Sequence, residues 1–142
     1  MSITETLAAA LVTDLQTVSG IAEVGREPKR IDEALAPSAY VITADGSSDI
    51  ETISNMQGQC RQSFVVQLMV RSAAPNADMN SLLDAVRNAV ESSSGTLVTL
   101  STVVRVSVTR WSGVFTEPSI HEGVYLREVT VDVDYIFTRG SA

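Results

Sequence analysis

The sequence predicts an α+β fold, with two amphipathic helices packed on one face of a mainly antiparallel sheet. Three observations predict it. Apolar residues recur at three- and four-residue steps in two separate segments, which is the signature of a helix with one buried stripe. Elsewhere they alternate with polar residues at a period of two, as in strands with one buried face. These segments follow the order α-β-β-β-α-β-β, with hairpin-like connections within the pair from Tyr40 to Ala73 and within the last pair. That order suits a two-layer sandwich over a single sheet.

The first helix is announced by Ser2 and Glu5, which have capping-box spacing. Ile3, Leu7, Leu11, Leu15 and Val18 then form one stripe, with Asp14 and Gln16 off it. Ser19-Gly20 marks the stop, because glycine tolerates the left-handed conformation that ends helices. A strand is expected over residues 21–27, up to Pro28, and the segment from Pro28 to Pro37 is ambiguous. Tyr40, Val41 and Ile42 read as a short second strand.

Residues 45–59 are polar and rich in Ser, Gly, Asn and Gln. This is long for a connection in a compact domain, where about 4–6 residues is typical. Three readings stay open: a long polar loop, a short helix started by Ser48 and Glu51, or the tip of a long hairpin. Ile50, Ile53 and Met56 lie within it at three-residue spacing and are candidate anchors for a partner.

Residues 60–73 read as a strand with Phe64, Val66, Leu68 and Val70 on one face. Val65, Gln67, Met69 and Arg71 make a mixed second face. Pro75-Asn76 breaks the strand, and a helix over residues 78–92 carries the stripe Met79, Leu82, Leu83, Val86 and Val90. Arg87 and Glu91 on its exposed side have i,i+4 spacing. In the next strand Val104, Val106 and Val108 alternate with Arg105, Ser107 and Thr109, up to Trp111. The last strand places Val129, Val131, Val133, Tyr135 and Phe137 on one face, and Glu128, Thr130, Asp132 and Asp134 on the other.

With 142 residues and 44% hydrophobic residues, the chain is expected to form one domain, able to bury about two-thirds of its unfolded surface. Lys and Arg total 10 against 17 Asp and Glu, a net charge of -7. An acidic surface repels phosphate backbones, which disfavours nucleic-acid binding as a main role. The single cysteine, Cys60, excludes an intrachain disulfide and a Cys-rich metal site. No signal peptide is expected, and no run approaches the roughly 18 apolar residues of a membrane span. The chain reads as cytoplasmic when made.

Catalytic equipment is absent from the sequence patterns. The only histidine, His121, falls in the connection before the last strand, and Cys60 has no partner nearby in sequence. There is no G-x-S-x-G elbow, P-loop or G-x-G-x-x-G. Glu128, Asp132 and Asp134 share a strand face and have the oxygen chemistry for a hard cation. The competing reading is a solvated face, or one paired with Arg105 or Arg110 across the sheet. No cofactor or metal is expected. A sheet face not needed beneath the helices, with Met69, Arg71, Arg105, Arg110 and Trp111 near it, is instead the candidate surface for another subunit.

The layout resembles the tail terminator, or tail completion, proteins of long-tailed bacteriophages. The resemblance runs through I-x-x-x-L-x-x-x-L (Ile3, Leu7, Leu11), the Gly20-Ile21 turn and the Pro37-to-Ile42 strand. It continues in F-V-V-Q-L-M-V (Phe64 to Val70), L-L-D-A-V (Leu82 to Val86) and Y-L-R-E-V-T-V-D-V-D-Y (Tyr125 to Tyr135). It implies a non-enzymatic virion protein at the tail-neck junction, assembled in the host cytoplasm. Its implied form is a hexameric ring that caps the tail tube and stops its polymerisation. Its implied partners are further copies of itself, the tube protein and the head-tail connector or stopper protein, with DNA passing through unbound. On that reading Glu128, Asp132 and Asp134 face the channel or pair with arginines of the next subunit. Another neck component, such as a head-completion or stopper protein, is the nearest alternative. A small hydrolase using Cys60 or a serine with His121, or a ligand-binding module, is the alternative of a different class.

Overall fold

The computed structural model describes residues 2–27, 36–52, 57–71, 74–112 and 124–138; for 45–52, 57, 75, 110–112, 124 and 138 it describes the backbone alone. The elements are α1 (Ile3–Gln16), β1 (Glu23–Gly25), β2 (Ser38–Thr52), β3 (Gln57–Arg71), α2 (Pro75–Glu91), β4 (Val103–Ser112) and β5 (Val124–Thr138). Five strands form one sheet in the order β1-β2-β3-β5-β4, and only the β1–β2 pair is parallel. The α+β class and the element order therefore stand as the sequence predicts.

Both helices bury as their patterns require, and α2 begins at Pro75, three residues before the expected start at Asp78. Ser2 caps α1, its Oγ accepting from the Glu5 backbone N–H at 3.1 Å. Pro75 opens α2 in the first turn, where its missing N–H costs nothing. Leu7, Leu11 and Leu15 of α1 and Met79, Val86 and Val90 of α2 are fully buried. They meet Ala39 and Val41 of β2, Phe64, Val66 and Leu68 of β3, and Val129, Val131 and Val133 of β5 in one core.

The sheet is longer than its helix layer. Strands of 15 residues span about 50 Å, while helices of 14 and 17 residues span about 21 and 25 Å. The segment after α2 covers part of the remainder. Leu97 is fully buried there, and Leu100 and Val103 pack against the same core. Thr102 then joins the sheet by accepting from the Ile136 N–H at 2.8 Å.

Asp14, placed off the apolar stripe by its chemistry, is buried within it. Its carboxylate accepts the backbone N–H groups of Thr96 at 2.7 Å and Leu97 at 3.0 Å, tying α1 to the turn that follows α2. Gly95 belongs at that turn. A Cβ there would stand 3.1 Å from the Ser92 carbonyl, 3.3 Å from that of Ala89 and 3.4 Å from Asp14 Oδ1.

Three expectations about the strands change. The second strand is not short, and much of residues 45–59 is neither loop nor helix. Ser47, Ser48 and Asp49 pair with Gln62, Arg61 and Cys60, and Glu51 and Thr52 with Gln59 and Gly58, in a long hairpin. The first strand is only three residues. The valines of β4 do not share one face throughout. Val103 lies opposite Tyr135 and Arg105 opposite Asp134, so a bulge intervenes at Val104. The extra residue shifts the alternation: Val103 and Val106 pack on the core, and Val104 is left 52% exposed.

Candidate functional site

The candidate site is the sheet face turned away from the helices. It is built from the odd-numbered residues of β3 and the even-numbered residues of β5, which alternate with the core positions. Register then stacks them in rows. Arg61, Asp134 and Arg105 form one row across β3, β5 and β4, and Ser63, Asp132 and Ser107 form the next. A neutral row follows from Ile42 through Val65 and Thr130 to Thr109, and then one from Tyr40 through Gln67 to Glu128.

Within this face the carboxylates are largely partnered in the chain. Asp134 is buried and takes Arg61 Nε at 2.8 Å and Nη2 at 3.4 Å, a two-pronged pair that fixes both side chains. Its charge, chiefly through that hydrogen bond, raises the Arg61 pKa above its usual value. Ser63 Oγ donates to Asp132 Oδ1 at 2.5 Å. Arg61, Arg71 and Arg105 thus stand on the same face as Glu128, Asp132 and Asp134, so among the described residues the face is charge-balanced rather than acidic. Arg61 was not among the residues singled out from sequence. Only the β3–β5 register, which joins residues 73 apart, reveals it.

At the other end the face is apolar. Tyr40 and Met69 are buried there, with Ala36 and Leu126 packed against them. The Tyr40 hydroxyl donates to Glu23 Oε1 at 2.5 Å. Burial first, and then the Glu23 carboxylate, push the Tyr40 pKa up to about 12. A group whose folded pKa is raised contributes stability below its unfolded pKa, about 10, and loses it as pH rises through the folded value. The stability advantage of wild type over Tyr40→Phe is therefore expected to be full at pH 9 and to shrink between pH 10 and 12. Urea unfolding of both proteins at pH 9 and 11.5 measures it; a difference independent of pH would refute the assignment.

The remaining sequence-predicted contact residues are spread over the sheet. Arg105 is exposed on β4, and Arg71 is exposed at the end of β3, beside a groove of about 350 Å³ with Gly20, Pro37 and Asp78. Ile50 lies in β2 and Arg110 and Trp111 in β4, while Ile53, Met56 and His121 fall outside the described residues. Cys60 is buried in the core. Among the described residues, no group of three or more His, Cys, Asp or Glu comes together as a metal site, and no helix is long and apolar enough to cross a membrane. A groove of about 410 Å³ beside α2 is lined by Asn80, Asp84, Arg87 and Arg127 as well as apolar residues. Small-molecule pockets are mostly apolar with few polar groups, so this lining favours no ligand.

Both sheet edges are partly guarded. On β2, past the three residues paired with β1, Arg26 Nε donates to the Val41 carbonyl at 3.0 Å and Nη2 to Thr43 Oγ1 at 2.9 Å, with Glu5 holding Nη1 at 2.7 Å. On β4, the Val108 N–H donates to Glu91 Oε2 at 3.3 Å and the Val108 carbonyl accepts Arg87 Nη2 at 3.4 Å. The expected Arg87–Glu91 pair forms at 3.3 Å and doubles as this guard.

Fold and face together define a two-layer α+β sandwich whose helix-free face and long strand edges are its distinctive surface. The model of the family described as "Phage tail terminator protein" matches residues 2–102, and the chain belongs to that family, whose members are structural proteins of the virion. Among solved structures, a chain from the "Virion of native gene transfer agent (GTA) particle" has the same fold, with a TM-score of 0.64 and 15% identity over 96% of this chain and 98% of that one. No curated protein matches.

Proposed function

We propose that this chain works by assembly, as a hexameric ring that caps the finished tail tube, stops its polymerisation and joins the tail to the head connector. The family match over residues 2–102 carries this reading. On this reading the protein sits at the tail-neck junction of the virion, after assembly in the host cytoplasm. The partners are further copies of the chain, the tube protein and a connector or stopper protein, and DNA passes through unbound. No cofactor or catalytic residue takes part.

The contact surfaces of this reading are those expected from the sequence. The polar segment of residues 45–59, with Ile50, Ile53 and Met56 in its sequence, is the arm offered to the tube or connector. Arg71, Arg105, Arg110 and Trp111 serve contacts between subunits. Asp134 is held by Arg61 of its own chain, so Glu128, and Asp132 whose partner Ser63 carries no charge, are the carboxylates for the channel or for a neighbour. A charge-balanced face is compatible with DNA passage, because counterion release drives binding only to a basic lining. Native mass measured alone and with tail tubes tests the reading. Sixfold particles in solution, or sixfold density at tube ends, are expected. A chain that stays monomeric and ignores tubes would overturn it.

A further inference from the structure

We infer that neighbouring copies join head to tail through their sheet edges, the first half of β4 in one copy adding as an antiparallel strand to the distal half of β2 in the next. The inference rests on the ring reading and names its interface.

Among the described residues, each edge has a stretch with no further strand paired to it. On β2, the β1 pairs and Arg26 occupy the edge as far as Thr43, which leaves residues 44–52. On β4, Arg87 and Glu91 hold Val108 and the Val103 N–H donates to the Leu100 carbonyl, which leaves Val104 to Ser107. These stretches lie level with each other. Val106 pairs with Val133, Val133 with Gln62, and Gln62 with Ser47, so Val106 and Ser47 stand at one height on opposite edges.

Their backbones also point the right way. The Val108 N–H and carbonyl turn outward to α2 side chains, and Val106, two residues back in an unbroken register, turns its own outward. The Val41 carbonyl points outward from β2 to Arg26. Val41, Thr43 and Ser47 pair with Val66, Phe64 and Gln62, an unbroken period of two on β3, so Ser47 shares that outward orientation. Strand directions alternate from β2 through β3 and β5 to β4. A β4 edge meeting the next copy's β2 edge is therefore antiparallel and continues the alternation.

Charge selects this pairing over like edges meeting. β4 contains Arg105 and Arg110 and no carboxylate, whereas the distal half of β2 contains Asp45, Asp49 and Glu51 and no Lys or Arg. Two β4 edges or two β2 edges would repel. The contact is heterologous, and with the paired stretches level no slide along the strands is needed, as suits closure into a ring. Bulges in β2 and β4 near these stretches bend the strands, and a closed wall needs curvature. Val104, the one large hydrophobic residue left exposed among the described residues, lies within the contact.

A crosslink tests it. In a Cys60→Ala background, Val106→Cys and Ser47→Cys in one chain are expected to give a ladder of covalent multimers on mild oxidation, since hydrogen-bonded antiparallel partners stand about 5.5 Å apart, within disulfide reach. Each single cysteine should stop at a dimer or give nothing. Arg105→Glu, with an unchanged melting curve, should shift native mass toward monomer at least tenfold in protein concentration. A ring that forms with no ladder, or that assembles unchanged with Arg105→Glu, overturns the edge pairing and leaves the ring reading intact. A wild-type chain that is monomeric even with tubes overturns both.

Discussion

Replacing Asp14 by alanine is expected to cost about 3 kcal/mol of stability. Its carboxylate takes two backbone N–H groups, those of Thr96 and Leu97, in a site where Asp14 is 3% exposed and Leu97 fully buried. Alanine leaves both donors without an acceptor, and each orphaned buried donor costs about 1–3 kcal/mol. The loss would be a large part of the roughly 5–15 kcal/mol that holds a domain together. Asp14→Asn keeps one acceptor oxygen and should cost about half as much. Urea unfolding checks this: the midpoint should fall in the order wild type, Asn, Ala with an unchanged slope. An alanine variant as stable as wild type would mean that water replaces the carboxylate.

Phe64→Ala should be at least as severe, at about 3–5 kcal/mol. Phe64 heads the fully buried side chains by volume and sits mid-sheet, opposite Thr43 on β2 and Val131 on β5. Both helices close over this layer, so the cavity left by alanine has no neighbour free to collapse into it. Phe64→Leu retains most of the volume and should cost much less. Thermal melting of the three proteins measures the order, and a mild alanine variant would show that the core relaxes. Both variants act on folding. Arg105→Glu differs from them in acting on assembly while leaving the melting curve in place.

Much of the fold was legible in side-chain periodicity. The stripes Leu7-Leu11-Leu15 and Met79-Leu82-Val86-Val90 and the alternation from Val129 to Tyr135 are repeated burial decisions, and each lies in the core as expected. The β2–β3 hairpin was only one of three open readings, because residues 45–59 have no apolar alternation. Backbone hydrogen bonds hold that ladder, and they do not depend on side-chain polarity. The Val104 bulge was hidden for a related reason. One inserted residue reverses the alternation, and V-V-R-V-S-V offers two equally good phases.

The candidate site was half visible. Glu128, Asp132 and Asp134 could be placed on one face from their spacing alone. That Arg61 pairs with Asp134 and Ser63 donates to Asp132 depends on β3 lying beside β5, and strand order is not written in local pattern. Asp14 is the sharpest case. An aspartate among alanines and leucines reads as solvent-facing, since burying a lone carboxylate is costly. Two backbone donors more than 80 residues away reverse that judgement.

The sequence by itself determined the class, the element order, the core faces of all elements but β4, and the family resemblance, because each rests on local periodicity or on pattern along the chain. Tertiary structure alone decided the strand order, the length of the hairpin, the partners of the buried charges and which stretches of edge stay open. Those features depend on which distant backbone groups meet, and no short-range spacing records that.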